Sequence, residues 1–359
     1  MSKINFTQRV SINEVRDLIK TIGEDVTVIV QSEPGVGKSS LLGMLEKNLG
    51  DKYDYIYVDC PAKDVPDVGM TVPDRDTKSL EYYVGALFKL DSPKPKMIML
   101  DEFAKVPKML QVIFTRLMLE GYVGDRKLPD GSIVFGTSNN SGDGVGDNML
   151  AHAGNRVCVV EMRKPSAEEW CLWAAENGIS RVMRGWVTQY SRCMKSYRDG
   201  DQDDNPYIFH PSKPALSFFS GRSAAKADAI IRKREFLTEN AVTTALAGTV
   251  GIAAAKDMEV YLAMDSKLPS VKNDILKDPE GINVPDEVAA QLMIMFEAID
   301  VLETQDELSK FMLFINRIKS SELQSIFFTM LMRTPRTTRI ARNNLQVTKW
   351  AADNHMMFN

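Results

Sequence analysis

The stretch SEPGVGKSS, Ser32 to Ser40, constrains this chain more than any other, because it separates the apolar run VTVIVQ from the helical pattern LLGMLEKNL. A glycine-rich turn between a buried strand and a helix aims consecutive backbone N–H groups at an anion, with the positive end of the helix behind them. Gly35 and Gly37 allow a backbone geometry and a close approach that a Cβ would block. Lys38 is placed to reach β- and γ-phosphates and the Ser39 hydroxyl to ligate Mg²⁺, while Glu33, Pro34, Val36 and Ser40 complete the nucleotide-binding segment. Ser32 stands where the full phosphate-loop pattern has its first glycine.

Around this loop, short apolar runs alternate with helical patterns. VTVIVQ, YDYIYVDC, KMIMLDE, GSIVFGTS and RVCVVEM read as strands buried on both faces, separated by helices such as SSLLGMLEKNL and VPKMLQVIFTRLMLEG. Residues 1–164 are therefore expected to form a three-layer αβα unit around a parallel sheet. Within it, LEGYVGDRKLPDGS carries turn residues and apolar stubs that suggest a β-hairpin near 121–131. After Pro165 the strand patterns stop. Ser166 and Glu169 make a capping box for a helix that Gly178 ends, and helical patterns follow at SRVMRGWVTQYSRCM, RSAAKADAIIRKREFL and ENAVTTALAGTVGIAAAKDMEVYLAM. This sets a helical lid at 165–268 and, beyond a loop-like segment from Ser266 to Pro285, a helical extension within 269–359.

Two acids follow the third strand. An aspartate at the carboxyl end of a central parallel strand lies beside the phosphate loop, so Asp101 is read as a Mg²⁺ ligand through water and Glu102 as the group that polarises attacking water. Asn139, at the end of the next strand with Asn140, could orient that water or touch the γ-phosphate; an Asn pair there is also a common turn. Arg156, just before the last strand, could serve a neighbouring subunit's phosphate in trans, or form an ordinary surface ion pair.

Other features are read as structural. The net charge of −4 excludes a chain that is basic throughout, as general nucleic-acid coats are. No stretch is long and apolar enough to span a bilayer and the N-terminus lacks a signal-peptide core, so the expectation is a soluble cytoplasmic protein without a membrane partner. The four cysteines show neither CxxC pairing nor ligand spacing with the three histidines. Asp199, Asp201 and Asp203 alternate like calcium ligands, but Asp204 and His210 occupy the positions that need glycine and glutamate. Arg333, Arg336, Arg339, Arg342 and Lys349 form a basic run that could engage nucleic acid; without an aromatic platform, pairing with acidic neighbours is preferred. The methionine-rich AAQLMIMFEAI is read as core, and His152 as structural.

Taken in order, EPGVGKS, DVGMTVPD (Asp67–Asp74), MLDE, GYVGDRKLPDG, GTSN ending at Asn139, and NRV with Arg156 resemble the AAA+ ATPases, and in detail the MoxR branch. EEWCLWAAENGI, then SGRS with Arg222 in the sensor-2 position, then ALAGTVGIAAA extend the resemblance from about Val26 to about Leu268. It implies an ATPase using ATP and Mg²⁺, a homo-oligomeric hexameric ring, and ATP bound between subunits with Arg156 as the arginine finger. It also implies chaperone-like remodelling of a protein client, with a von Willebrand factor A domain protein as a possible partner. The alternative is a nucleic-acid motor or loader acting through the C-terminal arginines.

Overall fold

Five strands build a wholly parallel sheet in the first part of the chain, the three central ones buried because their apolar runs are nearly continuous and the two edge strands partly open. They are β1 (Val28–Ser32), β2 (Asp54–Asp59), β5 (Lys96–Asp101), β8 (Ile133–Asn139) and β9 (Cys158–Glu161), in the spatial order β2-β5-β8-β1-β9. The computed structural model describes residues 8–140, 156–213 and 215–353. Its chain divides into two units, Met1–Lys164 and Pro165–Asn359.

In the first unit, helices cover both faces of the sheet. Helix α1 (Ile12–Ile22), opened by a Ser11–Glu14 capping box, and α2 (Leu41–Leu49) pack Val15, Ile19, Leu41 and Leu45 against Val28, Val30, Met97, Met99 and Phe135. On the other face α4 (Lys108–Glu120) lays Leu110, Phe114 and Leu117 over Ile29, Ile98, Leu100 and Val134. Side-chain alternation along β1 and β5 assigns successive residues to these two cores. The short α3 (Val65–Val68) lies between β2 and β5.

Two antiparallel hairpins project from this frame. One, β6 (Tyr122–Val123) with β7 (Arg126–Lys127), falls where the turn residues suggested it. The other, β3 (Gly69–Asp74) with β4 (Ser79–Val84), was not expected. Its signal was the period-two spacing of Leu80, Tyr82 and Val84, diluted by Pro73 on the partner strand. Tyr82 lies flat against Gly69, where a Cβ would come within 2.6 Å of its ring.

Every regular element described in the second unit is a helix. The series is α5 (Ala167–Glu176), α6 (Arg181–Gln189), α7 (Gly221–Arg232), α8 (Glu239–Val250), α9 (Ile252–Asp265), α10 (Val288–Val301), α11 (Gln305–Ile315), α12 (Ser321–Arg333), α13 (Pro335–Ala341) and α14 (Leu345–Asp353). The pattern read as one helix from Glu239 to Met264 is broken at Gly251, whose φ of 91° is open to glycine and strained for other residues. The segment read as a loop contains a π-helical turn, Val271–Ile275, with both end residues buried. Residues on both sides of position 268 share one core, in which Met293, Ile294, Phe311, Phe314 and Phe327 are fully enclosed. The methionine-rich α10 is core, as its composition suggested.

Candidate functional site

The loop leaves the carboxyl edge of β1 at Ser32 and turns through Glu33, Pro34, Gly35, Val36 and Gly37 into a 3₁₀ turn, Lys38–Ser40, and then α2. Gly35 (φ 77°) and Gly37 (φ 111°) both occupy left-handed backbone, which is the physical reason glycine stands at each. Ser32 accounts for its own departure from the full pattern: its Oγ and its carbonyl both accept from Lys38 Nζ, at 3.0 and 3.3 Å. The same ammonium donates to Glu33 O at 3.2 Å and to Asn139 Oδ1 at 2.8 Å. Parallel register places Ser32 opposite Asn139, so β8 delivers that amide beside the loop. Lys38, only 6% exposed, is held by oxygen atoms of loop and sheet. Asn140 follows, with its N–H on Ser32 O at 3.2 Å.

Asp101 ends β5 and receives three hydroxyl protons. Ser39 Oγ and Tyr57 OH donate to Oδ2, at 2.9 and 2.7 Å, and Thr137 Oγ1 donates to Oδ1. Thr137 also accepts the Glu102 N–H at 3.2 Å, so one β8 side chain braces both acids. Glu102 has φ 53°, an uncommon conformation for a residue with a Cβ and one that marks a site holding its backbone under constraint. Its carboxylate is paired with Lys105 at 2.7 Å. Burial, followed by the hydrogen bond to Asp101, pushes the Tyr57 phenol far above its ordinary range, so it stays a proton donor at neutral pH. Burial likewise raises the Cys60 thiol, leaving it protonated and unreactive.

The structure thus brings together Glu33 to Ser40, Asp101, Glu102 and Asn139 at one end of the sheet. Arg156 is elsewhere. It precedes Cys158, which pairs with Val28 at the start of β1, whereas the loop leaves from the end of β1. Four residues of strand separate those ends by about 13 Å, and the exposed Arg156 lies at the amino edge. Arg222 lies in the second unit, within the first turn of α7, whose start is capped by Ser220 and Ser223. His152 falls outside the described residues. Sequence reasoning missed Tyr57, Thr137, Lys105 and Lys164, the last of which pairs with the buried Glu33 at 3.3 Å. Only Thr137, two residues before Asn139 on the same strand, had a positional cue.

No protein-family model and no curated protein matches this chain. Among solved structures it is similar to a protein from Cytophaga hutchinsonii provisionally named an ATPase, at 14% identity over 70% of this chain and 88% of that one, with a TM-score of 0.33. It is also similar to the RuvB Holliday junction branch migration motor of Thermotoga maritima, at 13% identity over 80% of this chain and 82% of that one, with a TM-score of 0.38. Likenesses this distant carry no argument about activity. The phosphate loop, the strand order and the acid-tipped β5 make the first unit a three-layer αβα P-loop fold, followed in the chain by a helical region.

Several of the remaining candidates have partners within the second unit. Arg333 pairs with Glu168, and Arg336 donates to Ile299 O and, at 2.8 Å, to Leu302 O, closing the end of α10. Two members of the basic run are therefore committed within the helical unit. In the acidic loop, Asp199 accepts the Ser196 N–H and Asp203 lies beside His210, and no group of three potential metal ligands occurs among the described residues. None of the four cysteines is joined in a disulfide. No described helix is long and apolar enough to cross a membrane.

Proposed function

We propose that this chain is a Mg²⁺-dependent AAA+ ATPase, similar to the MoxR branch, that acts as a homo-oligomeric ring and remodels a protein client. The observation that carries the reading is the convergence of Lys38 with Asn139 and of Ser39 with Asp101 at the mouth of the loop. A strand-to-helix turn that was glycine-rich for other reasons would not need a buried ammonium supported by four oxygens.

Ser39 and Asp101 offer hard oxygen donors from a hydroxyl and a carboxylate, which suits Mg²⁺. Bound with nucleotide, such a cation would be held by Ser39 and Asp101 and would offset phosphate charge. The chain's own residues do the rest. Backbone N–H groups from Gly35 to Ser39 wrap the phosphates, and Lys38 exchanges carbonyl and amide oxygens for phosphate oxygens. Glu102 leaves Lys105 to take up the proton of an attacking water, which Asn139 orients. Arg156, on the sheet edge away from its own loop, serves the loop of an adjacent subunit. Arg222 of the helical lid reads the γ-phosphate. The client, and a von Willebrand factor A domain partner, follow from the MoxR resemblance.

Glu102→Gln tests the reading. Expected are retained ATP binding, a loss of turnover on the order of 10²-fold or more, and a multi-subunit assembly by light scattering in ATP. Wild-type turnover in that variant would overturn the role of Glu102. A chain that stayed monomeric in ATP would overturn the ring.

A further inference from the structure

Of the three hydroxyls on Asp101, two come from places that phosphate-loop chemistry already supplies: the loop itself and the strand carrying Asn139. The third does not. Tyr57 lies on β2, the outermost strand on its side of the sheet. Asp59 is the register partner of Asp101, and Tyr57, two residues earlier, shares its face of the strand. From there the phenol reaches diagonally across to Oδ2 at 2.7 Å, converging with Ser39 on one oxygen. The residue remains 45% exposed, so core packing does not account for a tyrosine here. What the side chain gains is that single charge-assisted hydrogen bond.

We propose that Tyr57 is a positioning residue that fixes the Asp101 carboxylate from the sheet edge and sets the divalent-cation requirement of nucleotide binding. The inference rests on Ser39 and Asp101 being the cation-binding pair. An aspartate carboxyl turns about a broad, nearly two-fold torsion. Thr137 holds one oxygen, and Ser39 belongs to the loop that meets the ligand. Among the described residues, Tyr57 alone ties Oδ2 to a strand of the sheet. Partners of this kind orient a ligand carboxylate and raise metal affinity without touching the metal.

The test uses the full chain and a fluorescent N-methylanthraniloyl ATP, titrated first in EDTA and then at fixed nucleotide with MgCl₂. Tyr57→Phe keeps the ring and removes the proton. The expected result is unchanged affinity in EDTA and roughly a tenfold higher Mg²⁺ concentration for half-maximal enhancement of binding. In an Asp101→Asn background, Tyr57→Phe should add nothing. An unaltered Mg²⁺ requirement overturns the proposal, as does an equal shift without Asp101. Affinity lost already in EDTA would mark Tyr57 as a structural residue and overturn it too. A wild-type chain whose nucleotide binding ignores Mg²⁺ would instead overturn the cation assignment underneath, a result seen before any variant is made.

Discussion

At the carboxyl edge of β1, β5 and β8 the chain buries Ser32, Lys38, Asp101 and Asn139, whereas the core of the helical unit buries Met293, Phe311, Phe314 and Phe327. Both regions are almost free of exposure. The first is held by hydrogen bonds among groups that a ligand would also use, and the second by close apolar packing with nothing to exchange. Burying an ammonium or a carboxylate costs desolvation that its partners only partly offset, while burying a phenylalanine is favourable throughout. Burial in the two places therefore has opposite consequences: near the loop it stores binding capacity, and in the helices it supplies stability.

Phe327→Ala should break the helical side of that contrast most strongly. The ring is fully buried and packs on Phe311 and Phe328, so its loss should cost about 3–5 kcal/mol. All four tryptophans, Trp170, Trp173, Trp186 and Trp350, lie in this unit, so intrinsic fluorescence in a guanidinium titration reports its unfolding directly. A shift under 1 kcal/mol would mean that the packing is far looser than drawn.

Lys38→Ala should do the reverse. Losing its hydrogen bonds to phosphate removes about 1.5–3 kcal/mol of binding, on the order of 10 to 100-fold in ATP affinity by calorimetry. The nucleotide-free protein should change in stability by less than about 1 kcal/mol, because relief of the buried charge offsets the lost contacts. A large destabilisation without nucleotide would show that Lys38 is structural and would erase the distinction between the two regions.

Arg336→Ala sharpens the comparison at its smallest scale, where a polar group does serve the helical core. Losing its two bonds to the end of α10 should cost about 1–2 kcal/mol in the same fluorescence-monitored unfolding. ATP turnover that responded to DNA or RNA only while Arg336 was present would favour the nucleic-acid reading instead.

Much of the site was legible in the chain because its chemistry is local. The turn from Ser32 to Ser40, the apolar run ending in Asp101–Glu102 and the strand ending at Asn139 each announce themselves within about ten residues. The break at Gly251 was hidden because the flanking segments are both good helix formers, and periodicity does not register a single left-handed residue. Arg336 was legible only as charge; its carbonyl partners lie 34 and 37 residues away.

By itself the sequence determined the strand-loop-helix of the phosphate site, the alternation that makes an αβα unit, and the apolar helices after Pro165, since propensity, periodicity and turn chemistry act between near neighbours. Only the tertiary structure decided that β1 lies between β8 and β9, that Ser32 faces Asn139, and that Asp59 faces Asp101. Strand order and register arise from long-range pairing, and a one-residue slip would turn Tyr57 to the opposite face. That register converts a tyrosine, a threonine and a serine scattered over about a hundred residues into the three donors on one carboxylate.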